Sequence, residues 1–288
     1  YGQAILIGRE DTVKASMERL GLSGLDNLEI HNARLSQHNV EYTQALYQRL
    51  QRKGHLYRDV QRMVNQDRNV FGASMVAHGH ADAMVTGVTR SFGVNHEYIT
   101  RVLDTKPGQR LMTCSLVVTR NNALFIADTN INEVPEPDVL ADIAMQTARK
   151  ARAFGYEPRV ALVSFSNFGY PHREHMERIQ EATRILDIRK VDFEYEGEMH
   201  TDAALDEDLR ETMMPNNRLK GKANILVYAN SDAAGATRNV LKSVAGGLEV
   251  GPILMGMGNR AHIVTPGVTV RGLLNIAALA GSPVSSYE

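Results

Sequence analysis

Short apolar runs alternate with longer amphipathic segments along almost the whole 288-residue chain, and this alternation constrains the fold more than any other feature. A run of four to eight apolar residues between turn signals suits a buried strand. A segment with apolar residues three and four apart suits a helix laid on a sheet. Together they make βα units, and βα units build mainly parallel sheets covered by helices. Strands are expected over 4–8, 28–30, 83–87, 159–165, 193–196, 223–228, 253–257 and 262–264. Helices are expected over 11–20, 42–53, 69–79, 139–154, 174–186, 201–213, 233–244 and 268–280. Residues 114–118 and 123–127, joined by 119–122, read as a hairpin that adds an antiparallel element. The helix over 139–154 has Asp138 and Asp142 near its positive end and Arg149, Lys150 and Arg152 near its negative end, and Gly155 stops it. Gly246-Gly247 and Gly251-Pro252 are expected to break the chain before its last strands. The economical reading is α/β with two lobes, residues 1–153 with 255–288 forming the first and 154–254 the second.

Composition removes several classes of function. Thirty-two Lys and Arg against 33 Asp and Glu leave a net charge of -1, so no global positive field exists to hold nucleic acid or an anionic membrane. The single cysteine, Cys114, makes neither an internal disulfide nor a thiolate cage, which suits a reducing cytoplasm. No apolar stretch approaches the ~18–20 residues that span a bilayer. The sequence opens on Tyr1-Gly2-Gln3 directly before a strand, which reads as part of a longer polypeptide.

In open α/β sheets, ligands bind beyond the carboxyl ends of the strands, so the turns after strands are the candidate site. Ser164-Phe165-Ser166-Asn167-Phe168-Gly169 offers small hydroxyl and amide groups to an anionic or carbonyl-bearing ligand, or simply caps the next helix. Asn230-Ser231-Asp232-Ala233-Ala234-Gly235-Ala236-Thr237 opens a helix with small residues that let a ligand approach the backbone, with Ser231 or Asp232 as an ordinary N-cap in the alternative. In Met255-Gly256-Met257-Gly258-Asn259-Arg260, Arg260 has the reach to clamp a phosphate. Arg90, after the strand ending at Gly87, reads equally as a ligand contact or a solvated charge. No G-x-G-x-x-G lies between a strand and a helix, and Ser164 and Ser166 lack the glycines of a nucleophile elbow. His78 and His80 have no third ligand at recognisable spacing, so no metal site is expected. Glu194, Glu196 and Glu198 alternate as on an exposed sheet edge.

Several tracts, in order, resemble phosphate acetyltransferases: Ala81-Asp82-Ala83-Met84-Val85-Thr86-Gly87, Phe125-Ile126-Ala127-Asp128-Thr129, Glu157-Pro158-Arg159-Val160-Ala161-Leu162-Val163-Ser164-Phe165-Ser166, the stretch 196–204 and the stretch 219–227. Ser164–Gly169, Gly197-Glu198-Met199-His200 and His262-Ile263-Val264-Thr265-Pro266 are more similar to the C-terminal domain of large bacterial NADP-dependent malic enzymes. The resemblance implies two α/β/α lobes with a cleft between them for coenzyme A, a homodimer, and attachment behind malate-oxidising N-terminal domains. NADP and a divalent metal would belong to those domains, and the first strand and helix of the family pattern would be missing here. Active acetyltransferases carry Asn-Asp-Leu-Ser-Arg-Gly before the last helix and an acidic base two turns later. Aligned here, Ile263 stands at the aspartate, Thr265 at the serine, Pro266 at the arginine and Gly272 at the acid, and Glu97 replaces a further family arginine. Proline does not stabilise developing charge and glycine does not accept a proton, so a catalytically degenerate domain is expected. The implied function is acetyl-CoA binding as an allosteric signal to an attached malic enzyme, together with oligomer assembly. An active phosphate acetyltransferase and a purely structural dimerisation module are the alternatives. Implied ligand contacts are Ser164, Asn167, Phe168, Gly169, Asn230, Ser231, Asp232, Arg260, Thr265 and Arg90.

Overall fold

The computed structural model describes residues 2–22, 28–170, 173–258 and 260–282, leaving out the side chains of 174 and 175. The chain is α/β with mostly parallel strand pairs, and its contacts divide it into two units. Unit 1 comprises Tyr1–Asp104, Arg260–Pro266 and Ala277–Ser282, and unit 2 comprises Thr105–Asn259, Gly267–Ile276 and Pro283–Glu288.

Unit 1 runs β1 (Ile5–Ile7), α1 (Glu10–Arg19), β2 (Glu29–His31), α2 (Asn39–Leu50), α3 (Tyr57–Gln66), α4 (Arg68–Ala77), β3 (Met84–Thr86) and α5 (Phe92–Thr100). β1 and β2 pair in parallel, and β3 pairs in parallel with a strand from late in the chain, β10 (Ala261–Ile263). Tyr42, Leu46 and Leu50 project from successive turns of α2 and meet Val60 and Val64 of α3 and Val70, Phe71 and Met75 of α4. The sequence reading missed α3, whose apolar face rests on Val60 and Val64 amid polar neighbours. Asp67 starts α4 by accepting from the backbone N–H groups of Asn69 and Val70 at 2.9 and 3.2 Å. Gly87 ends β3 at φ +121°, and a Cβ there would lie 1.9 Å from the carbonyl oxygen of Val264. Only glycine allows the two backbones to approach so closely.

Unit 2 contains β4 (Met112–Val118), β5 (Ala123–Ala127), α6 (Pro137–Ala153), β6 (Arg159–Val163), α7 (Glu174–Arg189), β7 (Glu194–Met199), α8 (Thr201–Leu205), α9 (Glu207–Met213), β8 (Ile225–Tyr228), α10 (Ser231–Val244) and β9 (Leu248–Met255). α11 (Val270–Ala280) follows β10. Six strands form one sheet in the order β7-β6-β8-β5-β4-β9. The β7, β6, β8 and β5 neighbours are parallel, and the β4–β5 hairpin and the β4–β9 pair are antiparallel. Strand periodicity sends Leu124, Ile126, Ala161, Val163, Leu226 and Tyr228 to one face, where they bury Ala203 and Ala204 of α8 and Ala234 of α10. α6 and α7 pack on the other face, where Phe125 meets Phe154 and Tyr156 edge-on.

The structure places the division between units at 104/105 rather than 153/154. Its cause is strand pairing: β5 joins β8 and β4 joins β9, so the hairpin and α6 belong to the second sheet. Gly251-Pro252 does not break the chain, because β9 runs through it as the sheet's edge strand, where a missing N–H is tolerated. The helix expected over 201–213 is two helices, since the Asp206 side chain caps the second by accepting from Leu209 N at 3.1 Å. Arg210 is wholly buried there and holds the surrounding loops by donating to the carbonyls of Ala203, Ala204, Leu219 and Gly221.

Candidate functional site

A ligand crevice in an open α/β sheet forms where neighbouring parallel strands send their following helices to opposite faces. In unit 2, β6 and β8 are one such pair, and their register brings Val163 opposite Tyr228 at their carboxyl ends. α7 leaves β6 toward the face of α6, and α10 leaves β8 toward the face of α8. Two turns singled out in the sequence, 164–169 and the one that opens at Asn230, therefore emerge from neighbouring strand ends.

The first turn is fixed by a residue that sequence reasoning passed over. Glu198 is 2% exposed, and its Oε1 accepts from Ser166 Oγ at 2.9 Å, Gly169 N at 2.6 Å and Gln180 Nε2 at 3.2 Å. Its carbonyl accepts from Phe168 N at 2.9 Å and so holds Phe168 at φ +51°, a left-handed conformation costly for a bulky side chain. The exposed-edge reading of the three glutamates is thus corrected. β7 is an edge strand, but Glu196 is also buried, paired with Arg218 at 3.2 Å. Between Leu162↔Gly197 and Val163↔Met199 the register skips one residue, and this bulge turns Glu198 into the loop. A Cβ on Gly197 would lie 2.7 Å from Leu162 Cβ, so the bulge requires glycine. His200 adds two bonds: its N–H donates to Asn167 Oδ1 at 2.8 Å, and its Nε2 lies 2.6 Å from the Phe165 carbonyl.

At the second turn Asn230, rather than Ser231 or Asp232, caps the helix, accepting from Ala233 N at 2.8 Å. Ser231 N donates to the Glu133 carbonyl at 3.0 Å, which ties the turn to the loop after β5. That loop is shaped by buried Asp128, which accepts from the N–H groups of Thr113, Ile131 and Asn132, while burial pushes its carboxyl above the usual range. Among the described residues, the hydroxyls of Ser164 and Ser231 and the carboxylate of Asp232 make no hydrogen bond, so they are available to a ligand. For the same reason neither serine is activated by a neighbouring base, as a nucleophile requires.

Arg90, in unit 1, donates to Asp67 at 2.5 Å, so its charge is committed to the residue that caps α4. Arg260, in unit 1, donates to the Asp104 carbonyl at 2.7 Å, and its neighbour Asn259 lies outside the described residues. Thr265 is half-buried and Pro266 exposed. Gly272 is buried in α11 and its N–H donates to Thr269 Oγ1 at 3.0 Å. Glu97 is exposed and bonded to Arg101 at 2.5 Å. The expectation of no metal site rested on the lack of a third ligand beside His78 and His80. Folding supplies two, bringing ligand atoms of His38, Glu41 and His80 within 4.8 Å of one another.

The family profile described as phosphate acetyl/butaryl transferase matches residues 1–281. An NADP-dependent malic enzyme of Rhizobium meliloti (strain 1021) is 44% identical over 97% of this chain and 37% of its own length. A probable NADP-dependent malic enzyme of Rickettsia prowazekii (strain Madrid E) is 39% identical over 97% of this chain and 38% of its own length. The chain thus spans little more than a third of these curated relatives. A phosphotransacetylase from Streptococcus pyogenes superposes with a TM-score of 0.87 at 26% identity, covering 96% of this chain and 84% of the other.

Proposed function

The chain belongs to the phosphate acetyl/butaryl transferase family, and from that premise we propose that it is a regulatory domain that binds acetyl-CoA without transferring its acetyl group. In this reading it is the C-terminal part of an NADP-dependent malic enzyme in the cytoplasm, inhibits the attached malate-oxidising domains when acetyl-CoA is bound, and helps to assemble the oligomer. NADP and the divalent metal of malate oxidation belong to those other domains. Support for this architecture comes from the two malic enzymes, which match over 37% and 38% of their length.

The observation that carries the loss of catalysis is Gly272. At the position where active relatives are expected to hold an acidic base, it is buried, has no side chain, and donates its N–H to Thr269. Pro266, at the expected arginine, offers no charge to a transferring phosphoryl or acetyl group. What remains suits binding. Ser164, Ser231 and Asp232 present polar groups at two neighbouring strand ends, and Asn167, Phe168, Gly169 and Asn230 give the turns their shape. The start of α10 adds the positive end of a helix dipole beside them, favourable to the phosphates of a coenzyme A ester.

A ligand regulates only to the extent that it prefers one state of the assembly. The test is malate-dependent NADPH formation by the longer protein, with and without this segment, as acetyl-CoA is added. Inhibition that disappears with the segment is the expected result. Equal inhibition of both forms would place the acetyl-CoA site elsewhere, and no inhibition of either would overturn the regulatory reading.

A further inference from the structure

We infer that unit 1 carries a binding site for one divalent transition-metal ion of the zinc class, formed by His38, Glu41 and His80. His38 immediately precedes α2 and Glu41 lies in its first turn, so at a spacing of three they share one face of the helix start. His80 arrives from elsewhere in the sequence. α4 ends at Ala77, Gly79 turns the chain at φ +74°, and the His80 ring comes to rest 4.3 Å from that of His38. His38 Nδ1 is already 3.5 Å from a Glu41 carboxylate oxygen.

The surroundings favour metal ligation over a surface ion pair. The hydroxyl of Tyr42, a residue 1% exposed, lies 2.6 Å from His80 Nδ1. When Nδ1–H donates to that oxygen, Nε2 keeps its lone pair for an ion, the usual arrangement of a ligating histidine whose second nitrogen is held by an oxygen partner. His78 is diverted from the group, its Nδ1 lying 2.8 Å from the Ser74 carbonyl. Two imidazoles and one carboxylate are the donor set of zinc and its neighbours rather than of magnesium or calcium, which prefer oxygen ligands alone. Tetrahedral ligands at ~2.0–2.1 Å from an ion are about 3.4 Å apart. The three groups therefore close from a separation of at most 4.8 Å by small side-chain rotations, which the exposure of Glu41 and His80 allows. A fourth position remains for water. The ion would clamp the start of α2 to the turn after α4, above the core formed by Tyr42, Leu46, Phe71 and Met75.

The test uses the 288-residue chain stripped with chelator and titrated with Co2+ as a spectroscopic probe, then with Zn2+ in competition. We expect one equivalent of Co2+ with the visible absorption of a tetrahedral ion, displaced by Zn2+, and a higher Tm with Zn2+ present. His80→Ala and His38→Ala should abolish the signal, with the metal-free Tm and far-UV circular dichroism of each variant read alongside to show that it remains folded. Tyr42→Phe, which keeps the buried ring, should weaken affinity by roughly tenfold. Absence of a tetrahedral Co2+ spectrum, or binding that persists in both histidine variants, would overturn the assignment.

Discussion

Replacing Glu198 by alanine should do more damage than any other single change at the β6–β8 crevice, because one carboxylate oxygen serves three donors. Ser166 is fully buried, so its hydroxyl would lose its partner with no water to replace it, at a cost of about 1–3 kcal/mol. Gly169 N and the Gln180 amide are half-buried and recover part of their loss by hydration. Hydrogen bonds to a charged acceptor contribute about 1.5–3 kcal/mol each, whereas the backbone carbonyl of residue 198, which holds Phe168, is kept by the substitution. The net expectation is a loss of about 3 kcal/mol. For a unit of this size that lowers Tm by about 6–12 °C. Glu198→Gln keeps an acceptor oxygen but not the charge, and should lose about half as much. Chemical denaturation followed by tyrosine fluorescence measures both, and acetyl-CoA affinity should fall in the same order. A loss below about 0.5 kcal/mol for the alanine variant would refute the claim that Glu198 holds the turn.

Three further outcomes follow from other parts of the chain. Gly87→Ala forces a Cβ to within 1.9 Å of the Val264 carbonyl at a positive φ, and should cost more than about 3 kcal/mol or abolish soluble expression. Cys114 is fully buried and its thiol is pushed up to about 12, so at pH 8 a thiol reagent should label it only after denaturant is added. Burial also holds the Lys150 ammonium below its usual range. Between its native pKa and the unfolded value of ~10.4 the unfolded chain binds more protons, so stability should rise with pH through that window. Lys150→Met should flatten this slope, and an unchanged slope in urea midpoints measured from pH 7 to 10 would contradict the attribution.

Periodicity made most of the fold legible. The β4–β5 hairpin, the strands at 84–86, 159–163 and 225–228 and the helix over 137–153 appear where apolar spacing places them, because each buries a continuous face. α3 escaped because its burial rests on only Val60 and Val64. The division between units escaped because it depends on which strand β5 pairs with, a long-range choice without local signature. At the candidate site, the two turns were legible from small polar residues after buried strands, and strand order then set them side by side. Glu198 was not legible, since strict alternation along β7 predicts an exposed carboxylate and only the bulge beside Gly197 redirects it. The His38–Glu41–His80 group was hidden for a similar reason, its third member lying 39 residues beyond Glu41 in the sequence.

The central claim is that this chain binds a coenzyme A thioester and does not turn it over. Calorimetric titration with acetyl-CoA, with acetyl phosphate formation assayed on the same sample in excess phosphate, tests it most directly. Saturable binding with no acetyl phosphate above the uncatalysed level is the predicted result. Robust acetyl phosphate formation, or no binding at millimolar acetyl-CoA, would contradict it.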